Sequence, residues 1–194
     1  GKILIAGYTT AQPTGGTGGT GTSANYGIVR LNADGSLDTS FGGVDTTNSK
    51  LRTGKALLDL GSDTEDRAQS IVMQADGKIL IAGYTTAQPT GGTGTSANYG
   101  IVRLNADGSL DTSFGGVVTT NSNLRTGKAL LDLGTNTDDQ AQSIVTQADG
   151  KILIAGYTTA QPTGGTGGTG TSANYGIVRL NADGSLDTSF GGVD

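Results

Sequence analysis

Three aspartate-bearing turns are the first residues in this sequence with types and spacing suited to chemistry. Asn32, Asp34 and Asp38 place side-chain oxygens at positions i, i+2 and i+6 around Gly35, and the set recurs as Asn105, Asp107, Asp111 and as Asn181, Asp183, Asp187. Oxygen donors grouped in this way suit a calcium ion, although the bidentate glutamate that closes an EF-hand loop is missing. A structural role fits the same residues: Asn32 and Asp34 form Asx turns, while Asp38 and Thr39 bond backbone amides before Phe41 enters the core. The candidate metal ligands are therefore Asp34, Asp38, Asp107, Asp111, Asp183 and Asp187, for calcium, and no other cofactor is expected.

A second acidic cluster, Asp63, Glu65 and Asp66, is answered further along by Asn136, Asp138 and Asp139. Its oxygens are kept although residue types change, which suits either a cation or sugar site or a solvated polar loop. The Gly/Thr stretches Thr14 to Thr22, Thr90 to Thr95 and Thr163 to Thr171 are glycine-rich, as phosphate-binding loops are. They lack a following Gly-Lys-Ser/Thr and a helix start to present its amides. Their lengths differ by one whole Gly-Gly-Thr triplet, the mark of exposed loops that tolerate insertion, and their hydroxyls suit O-glycans or carbohydrate contacts. Among the tyrosines, Tyr8, Tyr84 and Tyr157 end one expected strand and Tyr26, Tyr99 and Tyr175 begin the next, so each pair should meet across the strand ends. They serve either as core or, if exposed, as a platform for stacking sugars.

Catalysis needs groups with distinct roles and separately tuned pKa values. Here each candidate acid recurs in near-identical surroundings, and the chain contains no histidine and no cysteine. General bases and nucleophiles are reduced to carboxylates, lysine, tyrosine and hydroxyls. The sequence predicts that this chain is not an enzyme.

The frame that holds these groups is a repeat. GKILIAGYTTAQPTGG begins at Gly1, at Gly77 and at Gly150, giving intervals of 76 and 73 residues, and near-identity at such a period signals a tandem architecture in which each unit packs against its neighbours. We divide the chain into unit 1 (1–67, without its first strand), unit 2 (68–140, complete) and unit 3 (141–194, without its last strand). Opening and closing in mid-repeat, the sequence reads as part of a longer array.

Unit 2 predicts four strands, near Ser70 to Gln74, Lys78 to Tyr84, Tyr99 to Leu104 and Lys128 to Leu133. Asp76-Gly77 between the first two predicts a type I′ hairpin with positive φ at both centres. Ile79 and Ile81 alternate with Leu80, Ala82 and Tyr84, so both faces of the second strand are apolar and the sheet is sandwiched. Phe41, Phe114 and Phe190, each placed after a polar turn, are expected to be buried equivalently. Four antiparallel strands per unit, stacked between others, predict an all-β chain of propeller-type blades, with a linear β-solenoid or stacked-sheet filament as the alternative.

The succession of QADGKILIAGY, YGIVRLNADGSLDTSFG and a spacer resembles the delta-sixty repeat, a β-propeller-type tandem repeat of large bacterial proteins. The resemblance covers essentially the whole chain and rests chiefly on LNADGSLDTSFG at Leu31 to Gly42, Leu104 to Gly115 and Leu180 to Gly191. It implies a secreted or cell-surface location and carries no catalytic residues.

Composition agrees with a turn-rich β protein. There are 35 glycines among 194 residues but only three prolines, against a usual glycine share of about 7%. A formal net charge of −5 without any basic run gives no footprint for a phosphate backbone, so nucleic acid is not an expected partner. No stretch approaches the ~20 apolar residues that span a bilayer, so membrane insertion is not expected. The sequence thus predicts a structural or adhesive extracellular array whose partners are further copies of the repeat and surface glycans. The alternative is a closed propeller binding a glycan or small ligand on its loop-bearing rim.

Overall fold

The structure, a computed structural model, describes residues 1–11, 23–43, 52–89, 95–118, 121–134, 136–160 and 172–191. Twelve strands and no helix occur among them: β1 (Ile3–Thr9), β2 (Asn25–Leu31), β3 (Lys55–Leu58), β4 (Asp66–Met73), β5 (Ile79–Thr85), β6 (Asn98–Leu104), β7 (Val117–Val118), β8 (Asn121–Arg125), β9 (Lys128–Leu131), β10 (Asp139–Thr146), β11 (Ile152–Thr158) and β12 (Asn174–Leu180). The chain is all-β, built from antiparallel blades of propeller type. Blade 1 has the order β1-β2-β3, blade 2 β4-β5-β6-β9 and blade 3 β10-β11-β12, while β7 and β8 form a small hairpin inserted before β9.

The four runs read from unit 2 lie in one sheet in sequential order, as expected. Two local readings need correction. The first strand starts at Asp66 rather than near Ser70 and carries a bulge between Ala68 and Ser70; its polar residues hide the alternation, and the bulge breaks it. The turn after it is not type I′. Only Gly77 has positive φ, 82°, with Gly77 N–H donating to the Gln74 carbonyl (3.0 Å) and Gln74 N–H to the Lys78 carbonyl (2.8 Å). Three residues, Ala75 to Gly77, therefore span the hairpin, and a single left-handed glycine after an ordinary turn suffices.

Packing explains why both faces of the central strands are apolar. β6 is buried along its whole length and β5 everywhere except Tyr84. One core cluster joins Tyr26, Ile28 and Phe41 of blade 1 to Ile79, Ile81, Val102 and Leu104 of blade 2. The other joins Leu80, Tyr99, Ile101 and Phe114 of blade 2 to Ile152, Ile154, Val178 and Leu180 of blade 3. The cores thus lie between sheets, so each blade's stability depends on its neighbour.

Phe41 and Phe114 are fully buried, but Phe190 is 38% exposed, which corrects the expectation that all three are core. The physical reason is that burial comes from the following blade. Phe41 lies against Gly108 of blade 2 and Phe114 against Gly184 of blade 3, and Phe190 faces no such partner among the described residues.

Candidate functional site

The candidate metal ligands sit in a turn that follows the third strand of the full blade, and blade 2 shows its construction. After Leu104 the chain turns tightly, with Gly108 N–H donating to the Asn105 carbonyl (2.9 Å) and Asn105 N–H to the Ser109 carbonyl (2.8 Å). The Asn105 amide holds Ser109 Oγ (3.0 Å) and the Leu110 carbonyl (3.2 Å). Asp107 Oδ1 accepts from Ser109 N–H (2.9 Å) and its hydroxyl (2.6 Å). These bonds lock the turn, and they are the Asx geometry read from the sequence.

Asp111 points the other way, into the blade, where it is 4% exposed. Its Oδ1 accepts from Ser113 N–H (3.0 Å) and Oγ (2.7 Å), and its Oδ2 receives Arg103 Nε (2.7 Å) and Lys78 Nζ (2.6 Å). The Arg103 guanidinium also stacks over the Phe114 ring at 4.6 Å. Burial works to raise the Asp111 pKa, but Lys78, Ser113 and Arg103 together outweigh it and hold the carboxyl far below the usual range. Asp38 is lowered in the same way, with Arg30 and Lys2 as cations, and Asp187 through Lys151, Ser189 and Arg179.

In the turns of blades 2 and 3 the other carboxylate serves the junction between blades. Asp107 Oδ2 receives Arg52 Nη2 of blade 1 (2.8 Å), and Asp183 Oδ2 receives Arg125 Nη2 of blade 2 (2.7 Å). The Asp107 carbonyl accepts Gly42 N–H, and the Asp183 carbonyl accepts Gly115 N–H, both at 2.9 Å. Among the described residues Asp34 has no arginine partner, and it is held by Ser36. Asp34 and Asp38, and their two equivalent pairs, thus direct their carboxylates at different partners. Among the described residues no group of three or more acidic, histidine or cysteine side chains is arranged to hold a metal ion.

The second cluster is split by the fold. Asp63 is exposed in a left-handed turn (φ 57°) and Glu65 pairs with Arg67 (3.4 Å). Asp66, by contrast, opens β4 with 0% exposure. Its carboxylate accepts from Leu60 N–H (2.7 Å), Thr85 Oγ1 (2.5 Å) and Thr64 Oγ1 (3.1 Å), with no ion-pair partner among the described residues. Burial therefore wins over these bonds and pushes its pKa up to about 6. Asp139 repeats the arrangement with Leu133, Thr158 and Thr137, and its pKa is also raised by burial. Both residues tie the preceding blade through their backbone, since Asp66 N–H donates to the Ala24 carbonyl and Asp139 N–H to the Ala97 carbonyl, each at 2.8 Å.

The tyrosine pairs Tyr8/Tyr26, Tyr84/Tyr99 and Tyr157/Tyr175 do face one another across the strands. Their roles diverge. Tyr26 and Tyr99 are fully buried, and their hydroxyls donate to the carbonyls of Gly100 (2.8 Å) and Gly176 (2.9 Å) in the next blade. Burial raises both phenol pKa values. Tyr8 is exposed and lies under the Arg67 guanidinium at 4.5 Å. The Gly/Thr stretches fall almost wholly outside the described residues.

Residues 1–41, 74–114 and 147–190 match the family described as Domain of unknown function (DUF5122) beta-propeller. The chain belongs to that family. The three DUF5122 matches together take in β1, β2, β5, β6, β11, β12 and all three aspartate turns, and the propeller type sets aside the linear solenoid. No match is found among curated proteins.

Sequence reasoning overlooked the arginines that organise the DUF5122 turn. Arg30, Arg103 and Arg179 each follow an Ile-Val pair within a strand, which in β6 is buried throughout, and a cation after such an apolar pair signals a buried partner. It likewise overlooked the inward turn of Asp66, for which the alternating Asp66, Ala68 pattern was the available clue.

Proposed function

We propose that this DUF5122 chain is a non-catalytic structural array, acting outside the cell or at its surface through many copies of one weak contact. The observation that carries this reading is that the same five bonds recur at both blade junctions: the tyrosine hydroxyl to a glycine carbonyl, two arginines across the junction, and two backbone amides. Every strongly perturbed carboxylate is used in such joints or within a turn, and each has a twin. Repeated joints build length and rigidity, and equivalent faces raise avidity without any one binding tightly. This organisation suits the delta-sixty type of repeat and surface glycans as partners.

One, two and three tandem copies of the chain, measured on immobilised bacterial surface glycans, test this. Retention should rise far more steeply than copy number. Retention that is linear in copy number, or lost on one Asp→Asn change at Asp111, would replace the array with a single-site binder. The second reading, a closed ring binding a glycan at its rim, is favoured by the propeller type of the family. Electron microscopy of tandem copies distinguishes the two, as discs or as extended fibres.

A further inference from the structure

A hydroxyl carries one hydrogen, and two equivalent threonines of this fold have two acceptors for it. Thr64 Oγ1 lies 2.7 Å from the Gly61 carbonyl and 3.1 Å from Asp66 Oδ1. Thr137 Oγ1 repeats the choice, with the Gly134 carbonyl at 2.5 Å and Asp139 Oδ1 at 3.2 Å. A carbonyl only accepts, whereas a carboxyl accepts when ionised and can also donate when protonated. Both contacts of each threonine are therefore satisfied together only with a proton on the aspartate. The acid then donates to the threonine oxygen, and the threonine hydrogen closes the turn onto the glycine carbonyl. Once ionised, the aspartate claims that hydrogen and the glycine carbonyl loses it.

The remaining bonds of Asp66 serve both forms. Thr85 Oγ1 accepts Ala87 N–H (2.9 Å) and supplies its own hydrogen to Asp66 Oδ1 (2.5 Å), while Leu60 N–H holds Oδ2 (2.7 Å). The titratable groups facing Asp66 are Asp59 after β3, Lys128 of β9 and the phenol of Tyr26 on β2. Asp59 opposes ionisation, and the Lys128 ammonium is bound to the Asp59 carbonyl rather than to Asp66. Beside Asp66 along the chain, Glu65 and Arg67 pair with each other. Asp139 is faced in the same way by Asp132 and Tyr99.

The turns that these protons govern sit on the stems of the β5–β6 and β11–β12 hairpins. A β-carbon on Gly61 would stand 2.8 Å from Ala87 Cβ, and one on Gly134 would stand 2.8 Å from Ala160 Cβ. Glu65 N–H donates to Thr86 Oγ1 (2.9 Å), and Thr86 N–H returns a bond to the Glu65 carbonyl (3.0 Å). Asp138 and Thr159 exchange the same two bonds at 2.8 and 3.0 Å. Each turn thus fixes the residues that lead from a strand into a Gly/Thr stretch.

We propose that Asp66 and Asp139 are proton-operated clasps: protonated, each holds its turn closed on the adjoining hairpin stem, and ionised, each draws the threonine hydrogen away and releases that stem. A single proton thereby biases a two-state turn. The stems are held in mildly acidic surroundings and freed toward neutral pH. The clasp stands on these two turns and does not depend on the array reading.

Hydrogen exchange of the full chain, followed residue by residue by NMR and corrected for the intrinsic pH dependence of exchange, tests it between pH ~5 and ~7. Protection of the Glu65 and Thr86 amides should fall roughly 10-fold, the effect of a carboxyl that titrates at about 6 when closed and at ~4 when open. The Asp138 and Thr159 amides should lose protection too. Asp66→Asn keeps a permanent donor toward Thr64, so it should abolish the response at Glu65 and Thr86 and leave it at Asp138 and Thr159. Asp139→Asn should do the reverse, which keeps the test decisive if one of the two variants does not fold. Thr64→Val should bring protection at pH ~5 down to the wild-type level at pH ~7, and Thr64→Ser should retain the wild-type response. A wild-type protection that ignores pH, or a response at Glu65 and Thr86 that survives Asp66→Asn, overturns the proposal. So does an Asp66→Asn change that silences all four amides alike, which would mark global unfolding, or a Thr64→Val variant that behaves as wild type.

Discussion

The hydroxyl of Tyr99 donates to the Gly176 carbonyl, 2.9 Å away in the next blade, and a β-carbon on Gly176 would stand 2.6 Å from that oxygen. The bond and the missing side chain are one device. Tyr99→Phe should lower stability by about 1 to 2 kcal/mol, because the glycine carbonyl is left buried without its partner. Gly176→Ala should cost more, since the clash separates the blades over their whole face. Chemical denaturation of the two variants checks the order, and equal losses would mean that the close approach is unimportant.

Phe114 and Phe190 occupy equivalent positions but not equivalent environments, at 0% and 38% exposure. Phe114→Ala should cost about 3 to 5 kcal/mol. Phe190→Ala should cost about 1 kcal/mol or less in the monomer, the scale of an exposed substitution. Similar shifts in thermal midpoint for the two would show that Phe190 is covered in solution.

Two sets of carboxylates pull the pH dependence in opposite directions. Asp38, Asp111 and Asp187 have lowered pKa values when folded, so their contribution is present above the unfolded carboxylate value and is lost as pH falls through the folded one. Asp66, at about 6 when folded, does the reverse: its neutral form favours the native state, and stability is lost as pH rises from the unfolded value through 6. That loss is at most roughly 3 kcal/mol for a shift of this size. Stability should therefore peak near pH ~4 to 5 and decline toward neutrality. The variant Asp66→Asn should flatten the decline, as judged from urea midpoints at several pH values.

Chelation should leave thermal unfolding unchanged. The oxygens of Asp107 and Asp111 are occupied by Ser109, Ser113, Arg52, Arg103 and Lys78, and a calcium ion would have to displace those cations. A rise in melting temperature with added calcium, reversed by a chelator, would return the turn to the list of metal sites.

Most of the frame was legible in the chain itself. Alternating apolar residues such as Ile79 to Ala82 specify a strand buried on both faces, and an Asp-Gly pair at the end of a run specifies a turn, because both are decided by neighbours a few residues apart. Near-identity of the units then multiplied one blade into three. The sequence could not announce that Arg103 would reach the Ala182 carbonyl or Arg52 the Asp107 carboxylate, since those partners lie 79 and 55 residues away and meet only when blades stack. Nor could it show that the inward-turned Asp66 would meet Leu60 N–H and Thr85 Oγ1. Local chemistry determined which segments are strands and turns. Tertiary packing decided which of the repeated residues are buried, because each blade's core is completed by the surface of the next.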